Sequence, residues 1–164
     1  MGDSKSKATT AEALVEYVRS HDIFDPATIS IETKGDGETL LMDFNPIDYL
    51  SSLQLRKFIM WCQALNEDRP DLRVVAQNVH ARVLQSLSLF VELLPRELRI
   101  ESVIVPYFCD PCKDVEASVG IMTSSLISKG GKQASLETFA PNCAKCNTKM
   151  LPDVDDNCLA VVRR

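Results

Sequence analysis

Four of the six cysteines form two pairs with identical spacing. The pairs are Cys109-Asp-Pro-Cys112 and Cys143-Ala-Lys-Cys146, and thirty residues separate them. Structural zinc sites use four ligands in a tetrahedron, and thiolate sulfur is the usual ligand. A two-residue gap lets one tight turn direct both sulfurs at one ion, while backbone N–H groups of that turn share the negative charge. The spacing therefore predicts one structural zinc ion held by all four cysteines.

The segment between the pairs is typical of a zinc ribbon, in which short antiparallel strands bring two knuckles together. Residues 115–128 are rich in Val, Ile, Thr and Ser, and Gly130-Gly131 predicts a turn. This segment has few large apolar residues, so the metal would supply folding free energy that its own core cannot. Four cysteine ligands leave no open coordination position, so we do not expect this metal to catalyse a reaction.

The same cysteines allow a redox interpretation. A CxxC pair at the start of a helix can act as a dithiol catalyst. Neither pair clearly opens a helix here, which favours metal binding, but a thiol-disulfide redox protein stays open as an alternative. The remaining cysteines, Cys62 and Cys158, are interpreted as small core residues, Cys62 because it falls on an apolar helix face. For Cys158, which precedes the last predicted strand, a role as a spare metal ligand is the alternative.

Composition limits the function classes. The chain has 164 residues, of which 45% are hydrophobic, and a formal net charge of −5. Its Lys and Arg residues are scattered, whereas nucleic-acid binding usually needs a basic face. DNA or RNA is therefore disfavoured as the main partner, and a nucleic-acid-binding ribbon protein is kept only as an alternative.

The sequence predicts a cytoplasmic protein without a membrane partner. No apolar run approaches the roughly 18 residues of a transmembrane helix. The first ten residues, MGDSKSKATT, lack the apolar stretch of a secretory signal. Cysteines in such a chain are expected to be thiols or thiolates. No Ser-His-Asp set or Gly-rich phosphate loop can be identified, so no catalytic residue is predicted and the protein is not expected to be an enzyme.

Hydrophobic periodicity predicts an α/β protein. Residues 1–9 are expected to be a disordered tail, followed by a helix over 10–20. The pattern then gives strands over 29–33 and 39–44, a helix over 51–65, a strand over 71–76, a helix over 80–94 and strands over 99–105 and 159–162. Gly35 and Gly37 make the KGDGE segment a turn between the first two strands. Short strand-helix-strand crossovers favour parallel pairing, so we expect a mixed sheet with helices packed on it.

The stretch MDFNPIDYLSSLQL, residues 42–55, resembles the signature of the STAS family, the domain shared by sulphate transporters and anti-sigma factor antagonists. In that family a strand ending in Asp leads through a turn into a DSxG-like motif that opens a helix. Asp43 ends the strand here, and Ser51-Ser52 stand at the helix start. Ser51 replaces the family's Asp, and Gln54 replaces its Gly.

The resemblance implies a STAS-like domain over 10–106 and a zinc-ribbon-like segment over 107–164 that packs on or completes it. The sequence also resembles bacterial proteins of unassigned function that join a STAS-like domain to a closing ribbon. The resemblance to the STAS family implies a non-enzymatic regulatory or adaptor module that binds another protein. The implied contact surface contains Asn45, Pro46, Asp48, Tyr49 and Ser51.

Ser52 matches the serine that a partner kinase phosphorylates in STAS antagonists, which switches partner binding. A phosphate there would meet the free N–H groups and the positive end of the helix. The alternative is that Ser52 or Ser51 only caps the helix. A structural subunit of a larger assembly would share these sequence features.

Overall fold

A computed structural model describes residues 30–34, 39–45, 47–68, 70, 72–94, 98–127 and 134–162. The expected tail, the helix over 10–20, the turn at Gly35 and Gly37, Pro46 and Gly130-Gly131 lie outside these ranges. Within them, no helix is long and apolar enough to cross a membrane.

The described residues form a mixed α/β fold, as predicted. The strands are β1 Ser30–Lys34, β2 Thr39–Asp43, β3 Arg73–Gln77, β4 Val79–His80, β5 Leu98–Ile100, β6 Ser102–Phe108, β7 Glu116–Met122 and β8 Leu151–Pro152. The α-helices are α1 Ser52–Asp68, α2 Ala81–Ser88 and α3 Thr123–Leu126. Short 3-10 helices span Val91–Leu93, Leu136–Phe139 and Asp156–Val161.

The first sheet has the strand order β1-β2-β3-β5. β1 and β2 are antiparallel, whereas β2–β3 and β3–β5 are parallel pairs. The prediction of an antiparallel hairpin followed by parallel strands is therefore confirmed. Leu40 and Met42 of β2 and Val74 and Ala76 of β3 are buried, and the residues between them are less buried. This alternation places one face of the sheet against the core.

The second sheet prolongs the first. β4 pairs with β6 in parallel, at the same offset along the chain as the β3–β5 pairs. Asn78, with φ 53°, separates β3 from β4, and Glu101 separates β5 from β6. The Glu101 N–H still donates to the Ala76 carbonyl at 2.8 Å, so the pairing continues through the kink. The single strand predicted over 99–105 is therefore two strands.

Strand β6 is the central strand of the second sheet, and every other strand of that sheet pairs with it. β7 pairs antiparallel along one side of it, while β4 and β8 pair with opposite ends of the other side. Pro106 lies between those two ends. It has no N–H to donate, and its carbonyl accepts from the Asp153 N–H at 2.9 Å. The proposed division at residue 106 falls inside this strand.

Helix α1 covers the core with one face. Phe58, Trp61, Cys62 and Leu65 are buried, and Phe58 makes an edge-to-face contact with Phe44 just after β2, with ring centroids 6.2 Å apart. Burial of large apolar side chains supplies most of the stabilisation of such a helix.

The last predicted helix is shorter in the structure. The helix predicted over 80–94 ends at Ser88 and is followed by a 3-10 helix. Leu94 is extended, with φ −73° and ψ 153°, because the proline that follows it disfavours helical backbone. Ser, Phe and Val in this stretch are also weak helix formers.

The strand predicted over 159–162 is wrong, since Asp156–Val161 is a 3-10 helix. Its start is set by Asp155, whose carboxylate accepts from the Asn157 N–H at 2.8 Å. Cys158, Leu159 and Val161 are buried. A local side-chain cap therefore prevailed over the strand preference of the apolar run.

Candidate metal centre

The first cysteine pair lies in the turn between β6 and β7. The Cys109 N–H donates to the Val115 carbonyl at 2.9 Å, which closes the strand pair. The Lys113 N–H donates back to the Cys109 carbonyl at 2.8 Å, and Lys113 adopts φ 58°. The chain therefore reverses tightly around Cys109 and Cys112.

The second cysteine pair repeats this turn. The Asn147 N–H donates to the Cys143 carbonyl at 2.8 Å, and Asn147 adopts φ 59°. Cys143 itself donates its N–H to the Thr148 carbonyl at 2.8 Å. A β-bridge between Asn142 and Lys149 closes the hairpin. Each pair is thus followed directly by one left-handed residue, and asparagine readily takes that conformation.

The two turns bring all four sulfurs together. The Sγ atoms of Cys109, Cys112, Cys143 and Cys146 lie within 4.8 Å of one another. Cys109 Sγ is 3.4 Å from Cys146 Sγ, and Cys143 Sγ is 3.9 Å from Cys112 Sγ. A tetrahedral site with metal–sulfur bonds of about 2.3 Å has sulfur–sulfur edges of about 3.8 Å. The four cysteines are therefore close enough to hold one metal ion.

The thiols influence one another electrostatically. The neighbouring Cys146 sulfur and burial raise the pKa of Cys112 to about 12. The hydroxyl and the backbone N–H of Thr148 lower the pKa of Cys146 to about 6. Like charges this close resist joint ionisation, so four thiolates together require a cation. A divalent ion reverses this repulsion, and thiols that coordinate it are deprotonated.

The centre sits on the core with one side open to solvent. Cys109 and Cys143 are buried, Cys112 is partly buried and Cys146 is exposed. The backbone N–H of Lys145 lies 3.4 Å from Cys143 Sγ and can share its charge. The Tyr107 hydroxyl donates to the Leu136 carbonyl at 2.8 Å in a buried position. This bond ties the 3-10 helix Leu136–Phe139 to β6.

The two remaining cysteines lie apart from this cluster. Cys62 and Cys158 are buried, which agrees with their interpretation as core residues. Burial raises the pKa of the Cys158 thiol to about 12 and also raises that of Cys62. Burial therefore disfavours the thiolate form, which is the reactive form of cysteine, at both positions.

The loop before α1 contains most residues of the contact surface that the STAS resemblance implies. Ile47 and Leu50 are buried and anchor the loop, whereas Asn45 and Asp48 are exposed. Tyr49 is 65% exposed, and Leu53 on the first turn of α1 is 63% exposed. Large apolar side chains are thus presented to solvent beside the helix start.

The two serines at the start of α1 have different roles. The Ser51 hydroxyl accepts from the Gln54 N–H at 3.3 Å, and the Gln54 side chain accepts from the Ser51 N–H at 2.9 Å. This reciprocal arrangement is a capping box, in which Ser51 is the cap. Ser52 is the first helical residue, is exposed, and makes no side-chain hydrogen bond within the described part of the chain. Gln54, which departs from the STAS pattern, is the residue that completes the cap.

A charged link joins the residue that follows β8 to α2. Asp153, which directly follows β8, forms an ion pair with Arg82 in the first turn of α2. Asp48 lies close enough to act electrostatically on both Arg82 and His80. His80 caps α2, with its Nδ1 accepting from the Arg82 N–H at 3.5 Å. Sequence reasoning missed this link, because Arg82 and Asp153 are far apart along the chain.

Comparisons with family models, with curated protein sequences and with solved structures find no match for this chain. The resemblance of residues 42–55 to the STAS signature therefore stays a prediction.

Proposed function

We propose that this protein is a zinc-stabilised module that binds another protein and catalyses no reaction. The zinc assignment is supported by the repeated turn, which brings four cysteine sulfurs within 4.8 Å of one another. An all-thiolate tetrahedral donor set favours zinc over hard cations such as magnesium or calcium. With four protein ligands the ion would have no position for a substrate, so its role would be structural.

The proposed partner surface is the loop 45–50 together with the first turn of α1. Exposed Tyr49 and Leu53 support this assignment, because tyrosine is enriched at the energetically dominant positions of interfaces. Ile47 and Leu50 fix the loop in the core, so the surface would change little in shape on binding.

Phosphorylation of Ser52 would switch this surface. The capping box already satisfies the helix start through Ser51, which leaves the Ser52 hydroxyl accessible. A phosphate at this position would add close to two negative charges and would be stabilised by the helix dipole. It would lie next to Leu53, so it would change which partners can dock.

The zinc assignment is tested by the metal content of protein purified without chelator, with thiols counted before and after metal removal. We expect one zinc per chain and four thiols protected until chelation. Absence of metal, together with disulfides that form and break reversibly, would contradict the assignment and favour the redox alternative.

Partner binding is tested by comparing proteins retained by the wild-type chain with those retained by Leu53→Asp. Leu89→Asp is the matched control, because Leu89 is also exposed but lies at the end of α2. We expect a partner that Leu53→Asp loses and Leu89→Asp keeps. Equal binding by Ser52→Ala and Ser52→Asp variants to every such partner would remove the switch from the proposal.

A further inference from the structure

Strand β7 forms an open edge of the second sheet. Its inner side pairs with all seven residues of β6, from Ser102↔Met122 to Phe108↔Glu116. No described strand pairs with its outer side. An unpaired edge presents a row of backbone N–H and C=O groups that another strand can complete.

The hydrogen bonds that flank the strand identify the outward groups. The Cys109 N–H donates to the Val115 carbonyl, and the Thr123 N–H donates to the Glu101 carbonyl at 3.0 Å. The direction of the backbone groups alternates along an antiparallel ladder. The N–H and C=O groups of Ala117, Val119 and Ile121 therefore point toward β6. The N–H and C=O groups of the four residues between and beside them therefore point outward, and these residues are Glu116, Ser118, Gly120 and Met122.

This edge lacks the usual devices that discourage pairing. Natural edges carry Lys, Pro or bulges. The sequence of β7, EASVGIM, contains none of these, and its only charge is at its first residue. A Cβ built on Gly120 would meet no atom within 4 Å, so the space above the strand is open. A small side chain would therefore fit at this position, and no described strand occupies the edge.

We propose that the β7 edge pairs antiparallel with the same edge of a second copy of this chain, across a two-fold axis through Val119. In the register of full overlap, Ser118 faces Gly120 of the second copy and Glu116 faces Met122 of the second copy. Both members of each pair have outward backbone groups, so the ladder would contain about eight hydrogen bonds. No like charges face each other, which favours a second copy over an acidic peptide that would meet Glu116.

The charge of the protein predicts how this association responds to salt. Each copy carries a formal net charge of −5, so two copies repel each other at long range. Salt screens this repulsion, with a Debye length of about 8 Å at physiological ionic strength. A pairing of one strand edge is smaller than a standard interface, so the dimer is weak and concentration-dependent. This inference does not depend on the proposed partner surface.

The test is sedimentation velocity of the full zinc-loaded chain over a concentration series at low and high salt. Gly120→Pro is the disrupting variant, because it removes an outward N–H and leaves the bonds to β6 intact. Gly120→Ala is the matched control, since it keeps the N–H and its Cβ fits into open space. Zinc content and the emission of Trp61 report whether each variant is folded.

We expect a dimer for the wild type and Gly120→Ala that strengthens with salt, and at least tenfold weaker association for Gly120→Pro. A folded Ser118→Pro variant provides a second disruption at another outward position. Hydrogen exchange should slow with concentration at residues 116, 118, 120 and 122 only. A wild type that stays monomeric at all concentrations, or proline variants that dimerise like the wild type, would overturn the inference.

Discussion

The sheet under α1 and the two cysteine turns are organised in different ways. In the first region, buried residues such as Leu40, Phe58 and Leu65 pack together, and the helix is held by apolar contact. In the second region, two short hairpins carry the cysteines, and their shape is fixed by backbone hydrogen bonds to Cys109 and Cys143. Beside the cysteine turns, the buried Tyr107 hydroxyl donates to the Leu136 carbonyl and ties the 3-10 helix Leu136–Phe139 to β6.

This contrast shows two routes to a defined structure in one chain. In the first region many side chains share the burial, so a truncation removes the contribution of one side chain and leaves the others in place. With the proposed zinc bound, the second region would concentrate its stabilisation in one centre, so the loss of one ligand would affect the whole hairpin. The variants that follow test whether the two regions respond independently.

The largest effect is expected for Cys143→Ser. Structural zinc sites contribute about 10 kcal/mol or more in small zinc peptides, and removal of one thiolate should release the metal. We expect rapid hydrogen exchange at the Asn147 amide, while the amides of β3 stay protected. Cys62→Ala is the control, because it removes a buried cysteine that is not a ligand and should keep one metal per chain. Metal retention by Cys143→Ser would contradict the ligand assignment.

Leu65→Ala tests the first region alone. Leu65 is 2% exposed, so the truncation should lower the free energy of unfolding by about 2–5 kcal/mol through lost burial and a residual cavity. Zinc content should not change. Leu53→Ala on the same helix is the matched control and should shift the unfolding free energy by less than about 0.5 kcal/mol. Loss of zinc from folded Leu65→Ala would show that the regions are not independent.

The two serines at the helix start should differ in urea unfolding. Ser51→Ala removes the cap and should cost about 1 kcal/mol. Ser52→Ala removes no side-chain hydrogen bond that the structure shows and should stay within about 0.5 kcal/mol of the wild type. Equal destabilisation by both substitutions would contradict the assignment of Ser51 as the cap.

Trp61→Phe should leave the unfolding free energy within about 1 kcal/mol of the wild type. Within the described residues, Trp61 Nε1 is buried and has no hydrogen-bond partner, so removal of that N–H offsets part of the lost contact area. Circular dichroism is the readout, since Trp61 is the only tryptophan. A loss of several kcal/mol would indicate that the indole makes a specific contact.

The smallest effect concerns His80, the residue that caps α2. Burial lowers its pKa in the folded state, so a proton binds the unfolded chain more tightly. Stability should therefore fall as the pH drops below the unfolded histidine pKa of about 6.5. Thermal unfolding of His80→Gln at pH 7.5 and pH 5.5 should show a smaller decline than the wild type. An identical decline would assign the pH dependence to other groups.

The two regions also differed in how well the sequence predicted them. The spacing of the cysteines identified the four sulfurs that the structure brings together, and the periodicity around Phe58 and Leu65 identified α1. Local patterns could not reveal contacts between distant residues, such as the pairing of Arg82 with Asp153. They also overestimated strand preference near Leu159, because the cap supplied by Asp155 depends on a single side chain.

Pro106 has a consequence for misfolding. A strand that slid along this side of β6 during folding would meet a position with no donor, so a continuous ladder could form only on the β7 side. The proline therefore disfavours incorrect pairing of β4 or β8 at the position between their two places on β6. Replacement by valine would keep β6 extended but remove that penalty, and aggregation during refolding should then increase.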